Sequence, residues 1–211
     1  MIGYASRTGT KRNLAALRRA GWGLLVSRAA EWRTEGFTRW AADNGAWSDY
    51  QAQRDFDEDA YERFLTWVEA QTPLPDWLVL PDVVAGGAAS LALSTRYLNR
   101  CQAVAPMVLV AVQDGLEPAD VAPIVSSRVG IFLGGSTQWK LRRMIEWGAF
   151  CAERRIYYHV ARVNTSKRMA LAQAAGADSI DGSSASRYAV TLPLLNNGLR
   201  QRDLFSERAA A

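Results

Sequence analysis

Apolar residues in this chain fall into short continuous runs, and these alternate with stretches whose apolar positions repeat at helical spacing. The runs are Ile2 to Ser6, Trp22 to Ser27, Phe37 to Ala42, Trp77 to Leu80, Met107 to Val112, Val129 to Leu133, Ile156 to Val163, and a last one ending in Asp178-Ser179-Ile180-Asp181-Gly182. Unbroken apolar runs of this length suit parallel strands buried on both faces. Between them, Thr10 can cap a helix through Leu14, Leu17 and Arg18 that stops at Gly21. Ala29 to Gly36 reads as loop. Asp57 can cap a helix whose apolar face is Tyr61, Phe64, Leu65 and Val68, broken by Pro73 and Pro75. Further helices are predicted over Ala88 to Asn99, Pro118 to Val125, and Thr137 to Arg154. One more runs from Asn164-Thr165-Ser166 to Ala175, where Gly176 closes it. After Pro193 a last helix competes with the turn former Asn196-Asn197-Gly198.

About eight β/α units predict an α/β fold, a (β/α)8 TIM-type barrel in one domain spanning residues 1–211, near the lower size limit of about 200 residues. An open doubly wound sheet is the alternative. The sequence shows no internal repeat, low-complexity segment or linker. Hydrophobic content of 49% and charged content of 22% are those of a globular protein. No apolar run approaches the roughly 18 residues of a membrane span, and Met1-Ile2-Gly3-Tyr4 enters a strand directly, so a cytoplasmic protein without membrane partners is expected. Cys101 and Cys151 match no metal-ligand spacing and read as reduced, buried, small hydrophobes. The net charge of +4 matters less than its distribution: the region from Asp55 to Glu69 is acidic, and the part from Lys140 to Arg187 is basic. Solvated helix faces and a cationic side facing a polyanion both account for that.

Polar residues fall where the strands end: Asp43, Asp82, Gln113, Gly134-Gly135, Arg162 and Asp181. Each alone can be turn chemistry. Together, after successive strands, they would meet on the C-terminal face of a barrel, where active sites lie. Carboxylates, an amide and glycine-lined backbone suit a planar heterocycle with donors and acceptors, guanine for instance. Trp47, Tyr50 and Trp139 are candidates for stacking on it or for the core.

The order Asp43-Asn44-Gly45-Ala46-Trp47, Pro81-Asp82, Val112-Gln113-Asp114-Gly115, Phe132-Leu133-Gly134-Gly135-Ser136, His159-Val160-Ala161-Arg162-Val163 and Asp178-Ser179-Ile180-Asp181-Gly182 resembles the tRNA-guanine transglycosylase superfamily. Its DNA-directed branch, the DpdA-type enzymes that place 7-deazaguanines in DNA, is the nearer likeness. The resemblance covers about Ala41 to Tyr188. It implies base recognition and proton transfer by Asp43, and base binding by Asp82, Gln113, Gly134 and Gly135. Asp181 would be the nucleophile. Asn44, Ala46 and Asp114 depart from the family motifs, and the family's four-ligand zinc site near the C-terminus is absent. That loss disfavours tRNA and favours DNA as partner, with no metal and no cofactor beyond guanine or a 7-deazaguanine base as co-substrate. A partner protein or a homodimer would help grip the DNA, and phage-encoded DNA modification in the host cytoplasm is the setting the likeness implies.

On that resemblance Asp181 would attack C1′ of a deoxyguanosine, guanine would leave, and an incoming base would displace the aspartate with net retention. Arg162, Asn164, Thr165, Ser183, Ser184 and Arg187 would hold backbone phosphates, as loops after strands 7 and 8 often do in barrels. Helix capping is the plainer account of Asn164 and Thr165. Arg162 could instead orient Asp178 or Asp181. His159, three residues before Arg162, is expected on the opposite side of its strand, as a structural residue or an additional functional one. A metal site from Asp43, Asp82 and His159 is geometrically open. The competing readings are a phosphate-binding barrel enzyme of small-molecule metabolism, such as an isomerase or aldolase, and a non-catalytic base-binding module. No lysine falls at a predicted strand end, which disfavours Schiff-base aldolases.

Overall fold

Every apolar run becomes a strand in the computed structural model: β1 (Ile2–Ser6), β2 (Gly23–Ser27), β3 (Trp40–Asp43), β4 (Leu78–Val79), β5 (Val108–Val112), β6 (Val129–Leu133), β7 (Tyr158–Val160) and β8 (Ser179–Gly182). The helices are α1 (Lys11–Arg19), α2 (Ala46–Gln51), α3 (Glu58–Glu69), α4 (Ala88–Val104), α5 (Pro118–Val121), α6 (Thr137–Arg154), α7 (Ser166–Ala174), α8 (Ser184–Arg187) and α9 (Thr191–Ser206). The structure describes residues 1–7, 10–187 and 191–206, without the side chains of residues 187 and 200–206. The strands pair in parallel in chain order, and β8 closes on β1 with Asp181 opposite Tyr4. The fold is the expected (β/α)8 barrel rather than an open sheet. Among the described residues, no helix is long and apolar enough to cross a membrane.

Strand alternation divides the apolar residues into two cores. Outward residues such as Leu24, Val26, Val110, Ile131 and Val160 pack under the helices. Inward ones, Tyr4, Leu25, Ala41, Trp77, Val79, Leu109 and Ala111, fill the barrel itself. Gly23 makes room for this filling: a Cβ there would lie 2.6 Å from the Tyr4 ring. Trp77, fully buried at the centre, meets Tyr4 edge-on at 5.1 Å. Replacing it with alanine should cost about 3–5 kcal/mol.

The same alternation places the site. Two residues beyond Tyr4, Leu25, Ala41 and Ala111, each inward position turns polar, giving Ser6, Ser27, Asp43 and Gln113. On β8 the step from Ser179 to Asp181 continues the pattern. The barrel is thus apolar through its middle and polar at its C-terminal mouth.

Local signals explain the helices. Thr10, Asp57, Ser136 and Thr165 each accept a hydrogen bond from the N–H three residues on. Several expectations shift. The helix from Ala88 runs on to Val104, the one from Pro118 stops at Val121, and α8 is new. Phe37 precedes the third strand instead of opening it, and α2 follows Gly45 where only a turn was expected. Its six residues are too few to show helical periodicity. The tail resolves in favour of helix, α9. Cys101 and Cys151 are buried and unpaired, as expected.

Candidate active site

A cavity of about 460 Å³ opens at the C-terminal end of the barrel. Of the residues singled out by the sequence, Asp43, Asp82, Gln113, Gly134, Gly135, Arg162, Asn164, Asp181 and Ser183 line it. Thr165 caps α7 instead, donating nothing to the cavity lining, and Ser184 begins α8. The Arg187 side chain lies outside the described residues. Ser6, Ser27, Trp47 and Gln51 are among the other lining residues and were not predicted as site residues, apart from Trp47 as a stacking candidate.

On the β3–β4 side, Asn44 ties the loops together. Its Nδ2 donates to Leu80 O at 2.6 Å and to Asp82 Oδ1 at 2.6 Å, while Oδ1 accepts from Ala46 N at 2.9 Å. Asn44 was noted only as a departure from a family motif, because an amide after a strand looks like turn chemistry. Behind it, buried Arg28 donates to Asn44 O at 2.6 Å and pairs with buried Asp49 of α2. Asp82 Oδ2 takes a further bond from Gln113 Nε2, whose Oε1 accepts from Ala85 N at 2.6 Å.

The two carboxyls here hold their protons tightly. Burial pushes Asp82 up to about 7, and the nearby charge of Asp43 adds to this, against the pull of the Asn44 hydrogen bond. Burial likewise pushes Asp43 up to about 6, with the Ser27 hydroxyl and Gly45 N–H opposing. Asp43 is the more open of the two to the cavity.

The β7–β8 side is arranged oppositely. Asp181 Oδ1 receives His159 Nε2 at 3.2 Å and Arg162 N at 2.8 Å. Burial alone would raise this carboxyl, but the His159 and Arg162 hydrogen bonds and the Lys140 charge outweigh it, holding Asp181 below the usual carboxylate range. Burial holds His159 below its ordinary value. Lys140, on α6, was not anticipated. Its buried ammonium donates to Ala161 O, and burial, helped by the Arg162 charge, pushes it down to about 7. Lysine on a long helix reads as a solvated face, so no sequence signal marked it.

Arg162 and His159 correct a sequence argument. Their spacing was expected to put them on opposite sides of the strand. β7 ends at Val160, and Arg162 has φ of 57°, a left-handed conformation that L side chains rarely adopt. Alternation is broken there, so the guanidinium lines the cavity while His159 points inward below it. It is the Arg162 backbone, not the guanidinium, that orients Asp181. The guanidinium donates to Gly135 O and lies 4.4 Å over the Trp47 ring. Trp47 also stacks on Tyr50 at 5.5 Å, so its ring is already engaged. Trp139 packs against the core. Asp178 sits elsewhere, accepting from Tyr158 N.

Ser179, His159 and Asp181 contain the residue types of a hydrolase triad, yet Ser179 is fully buried and does not line the cavity, so it cannot reach a substrate. Among the described residues, no group of three or more His, Cys, Asp or Glu is placed to hold a metal ion. The phosphate loops are partly committed as well. Asn164 Oδ1 accepts Ser184 N at 3.1 Å, and the Asp114 carboxylate occupies the start of α6 through Ser136 N at 2.6 Å.

No family model matches the chain. No curated protein matches it. Among solved structures, 17 chains match. One is titled "Native KDPGal structure". It superposes with a TM-score of 0.51 at 12% identity, over 95% of this chain and 94% of that one. Identity that low shows the shared barrel fold alone.

The transglycosylase resemblance is overturned by these comparisons: no family model supports it, and the matching barrel carries a title that names KDPGal. Geometry supplies a physical reason. Several of the atoms expected to read a base are already engaged. Each Asp82 oxygen accepts a bond, from Asn44 or Gln113, Gln113 is held at both ends, and the Gly134 N–H bonds Val112 O. The expectations of DNA exchange, a glycosyl-aspartate intermediate and a 7-deazaguanine co-substrate rested on that resemblance and fall with it.

Proposed function

We propose that the cavity is the active site of an enzyme of small-molecule metabolism that moves a proton on a small anionic substrate, in the manner of an isomerase or a lyase. The observation that carries this reading is the opposed protonation of carboxyls sharing one cavity. Asp43 and Asp82 are raised to about 6 and 7, and Asp181 is lowered. Groups whose environments push their pKa values apart are suited to acid and base roles, and a value near the working pH gives the most effective proton transfer. Asp43, the more open of the raised pair, is the proton-transfer group. Asp82 is pinned by Asn44 and Gln113, and the like charge that helps raise Asp43 is that of Asp181. Ionised Asp181 is the fixed negative charge of the opposite wall.

Arg162 is the cation among the described lining residues, and it supports binding of one carboxylate or phosphate group. The cavity volume of about 460 Å³ suits a metabolite-sized ligand. No lysine lines it, and Lys140 is turned to the Ala161 carbonyl, so chemistry through a Schiff base is disfavoured even though the structural neighbour's title names KDPGal.

The test is solvent-deuterium incorporation, followed by proton NMR, into a panel of small phosphorylated or carboxylated carbonyl compounds. Exchange in one of them that is lost in Asp43→Asn supports the reading. No exchange in any, or exchange that survives in Asp43→Asn, overturns it. Borohydride added during turnover should trap no covalent adduct.

A further inference from the structure

β8 presents Ser179 and Asp181 to the barrel interior two residues apart, and β7 pairs His159 directly opposite Ser179. The imidazole is thereby set between the two: Nδ1 lies 2.7 Å from Ser179 Oγ, and Nε2 lies 3.2 Å from Asp181 Oδ1. Its ring is fully buried, stacked on Phe132 at 4.8 Å and flanked by Trp77 at 4.6 Å and Tyr4 at 6.4 Å. An ionised carboxylate only accepts hydrogen bonds. The hydrogen between Nε2 and Asp181 therefore belongs to the imidazole, and a neutral ring then leaves Nδ1 as acceptor of the Ser179 hydroxyl. The charged groups that act on the ring are Asp181, which favours a cation, and Lys140, which opposes one.

The same Asp181 oxygen receives the Arg162 N–H. That N–H and the Ala161 carbonyl belong to one peptide unit, and Lys140 grips the carbonyl end. A hydrogen bond donated to the carbonyl fixes the peptide plane and polarises the unit, which strengthens its N–H as a donor. Oδ1 is thus clamped from two directions, and Oδ2 has no donor among the described residues while Asp181 lines the cavity.

We propose that His159 is a positioning residue, locked as the neutral Nε2–H tautomer by Asp181 with the Ser179 hydroxyl donating to Nδ1, and that with the Lys140-held Ala161–Arg162 peptide it clamps one oxygen of Asp181 so that only the other faces the substrate. The proposal deepens the active-site reading and rests on it for its purpose. Its geometry is tested without any substrate.

His159 is the only histidine, so its ring nitrogens are assigned without ambiguity in a long-range proton–nitrogen correlation spectrum of the labelled full chain. One protonated nitrogen, Nε2, and one bare nitrogen, Nδ1, are expected from pH 6 to 8. A proton on Nδ1, or on both nitrogens at neutral pH, overturns the proposal. Ser179→Ala should shift the Nδ1 resonance, and Asp181→Asn should give a mixture of tautomers. No change in either variant overturns it.

The second readout is the Asp181 carboxyl carbon followed through acid titration. His159→Gln, which keeps a donor, should leave the midpoint near the native value, and His159→Phe should raise it by about one unit. Equal midpoints in both variants overturn the clamp. Should His159→Phe fail to fold, the spectrum of the unaltered chain still decides the tautomer. Absence of the proposed activity would leave all these resonances in place, so the two readings fail separately.

Discussion

The two walls of the cavity hold the same side chain in opposite states. On the β3–β4 wall, Asp43 and Asp82 are raised to about 6 and 7, both mainly by burial, with the Asp181 charge adding to the first and the Asp43 charge to the second. On the β7–β8 wall, Asp181 is just as enclosed and is lowered. Burial acts in the same direction on all three, so the difference comes from partners. Asp82 receives neutral amides from Asn44 and Gln113 and faces a second carboxyl. Asp181 receives an imidazole N–H and a polarised peptide N–H, with the Lys140 cation behind them. Hydrogen bonds to the charged form, backed by positive charge, overcome a burial cost that amides beside a like charge do not.

The comparison breaks most severely at Asp43. Asp43→Asn should lower the rate of deuterium incorporation by about 10²–10⁴-fold with the fold retained, measured by NMR against an unchanged circular dichroism spectrum. Next comes the support under the same wall. Arg28→Met leaves buried Asp49 with the exposed Arg54 as its remaining ion-pair partner and should cost about 1–3 kcal/mol in urea unfolding. On the opposite wall, Arg162→Met should raise the apparent substrate dissociation constant by about tenfold or more, read by isothermal titration. Arg162→Lys should recover only part of that, because the guanidinium bond to Gly135 O and its planar contact with the Trp47 ring are lost.

The smallest effect is the dependence of stability on pH. A carboxyl raised in the fold binds its proton more tightly there than in the unfolded chain, where the value is 3.8. The folded state therefore carries more protons between about pH 4 and 7, and the contribution of these two groups to stability falls as pH rises through that window. Asp181, lowered in the fold, contributes stability that is present above 3.8 and lost as pH falls below it. Asp43→Asn should flatten the decline above pH 5 by about 1 kcal/mol, a modest figure because Asp43 is partly open to water; denaturant midpoints at pH 5 and pH 8 measure it. Anion binding should weaken over the same range as the wall gains negative charge.

Much of this was legible in the residues. Apolar runs and caps at Thr10, Asp57 and Thr165 located the barrel, and α6 was placed at its observed bounds. Asp43, Asp82, Gln113, Arg162 and Asp181 were picked out because polar residues after buried strands must emerge at one mouth. What those residues do was read wrongly through a family likeness, since motif order records neighbours along the chain and not which atoms are already engaged.

The sequence by itself determined the fold and the face that carries the site, because both follow from the two-residue alternation of strands and the spacing of helices. Only the tertiary structure decided the protonation of the three carboxyls, the inward reach of both His159 and Arg162, and the use of Lys140. Each depends on partners drawn from other strands and helices: Asn44 against Asp82, Ser179 beside His159, and an α6 ammonium on the Ala161 carbonyl. Burial and hydrogen bonding are set by those neighbours in space, and position along the chain does not encode them.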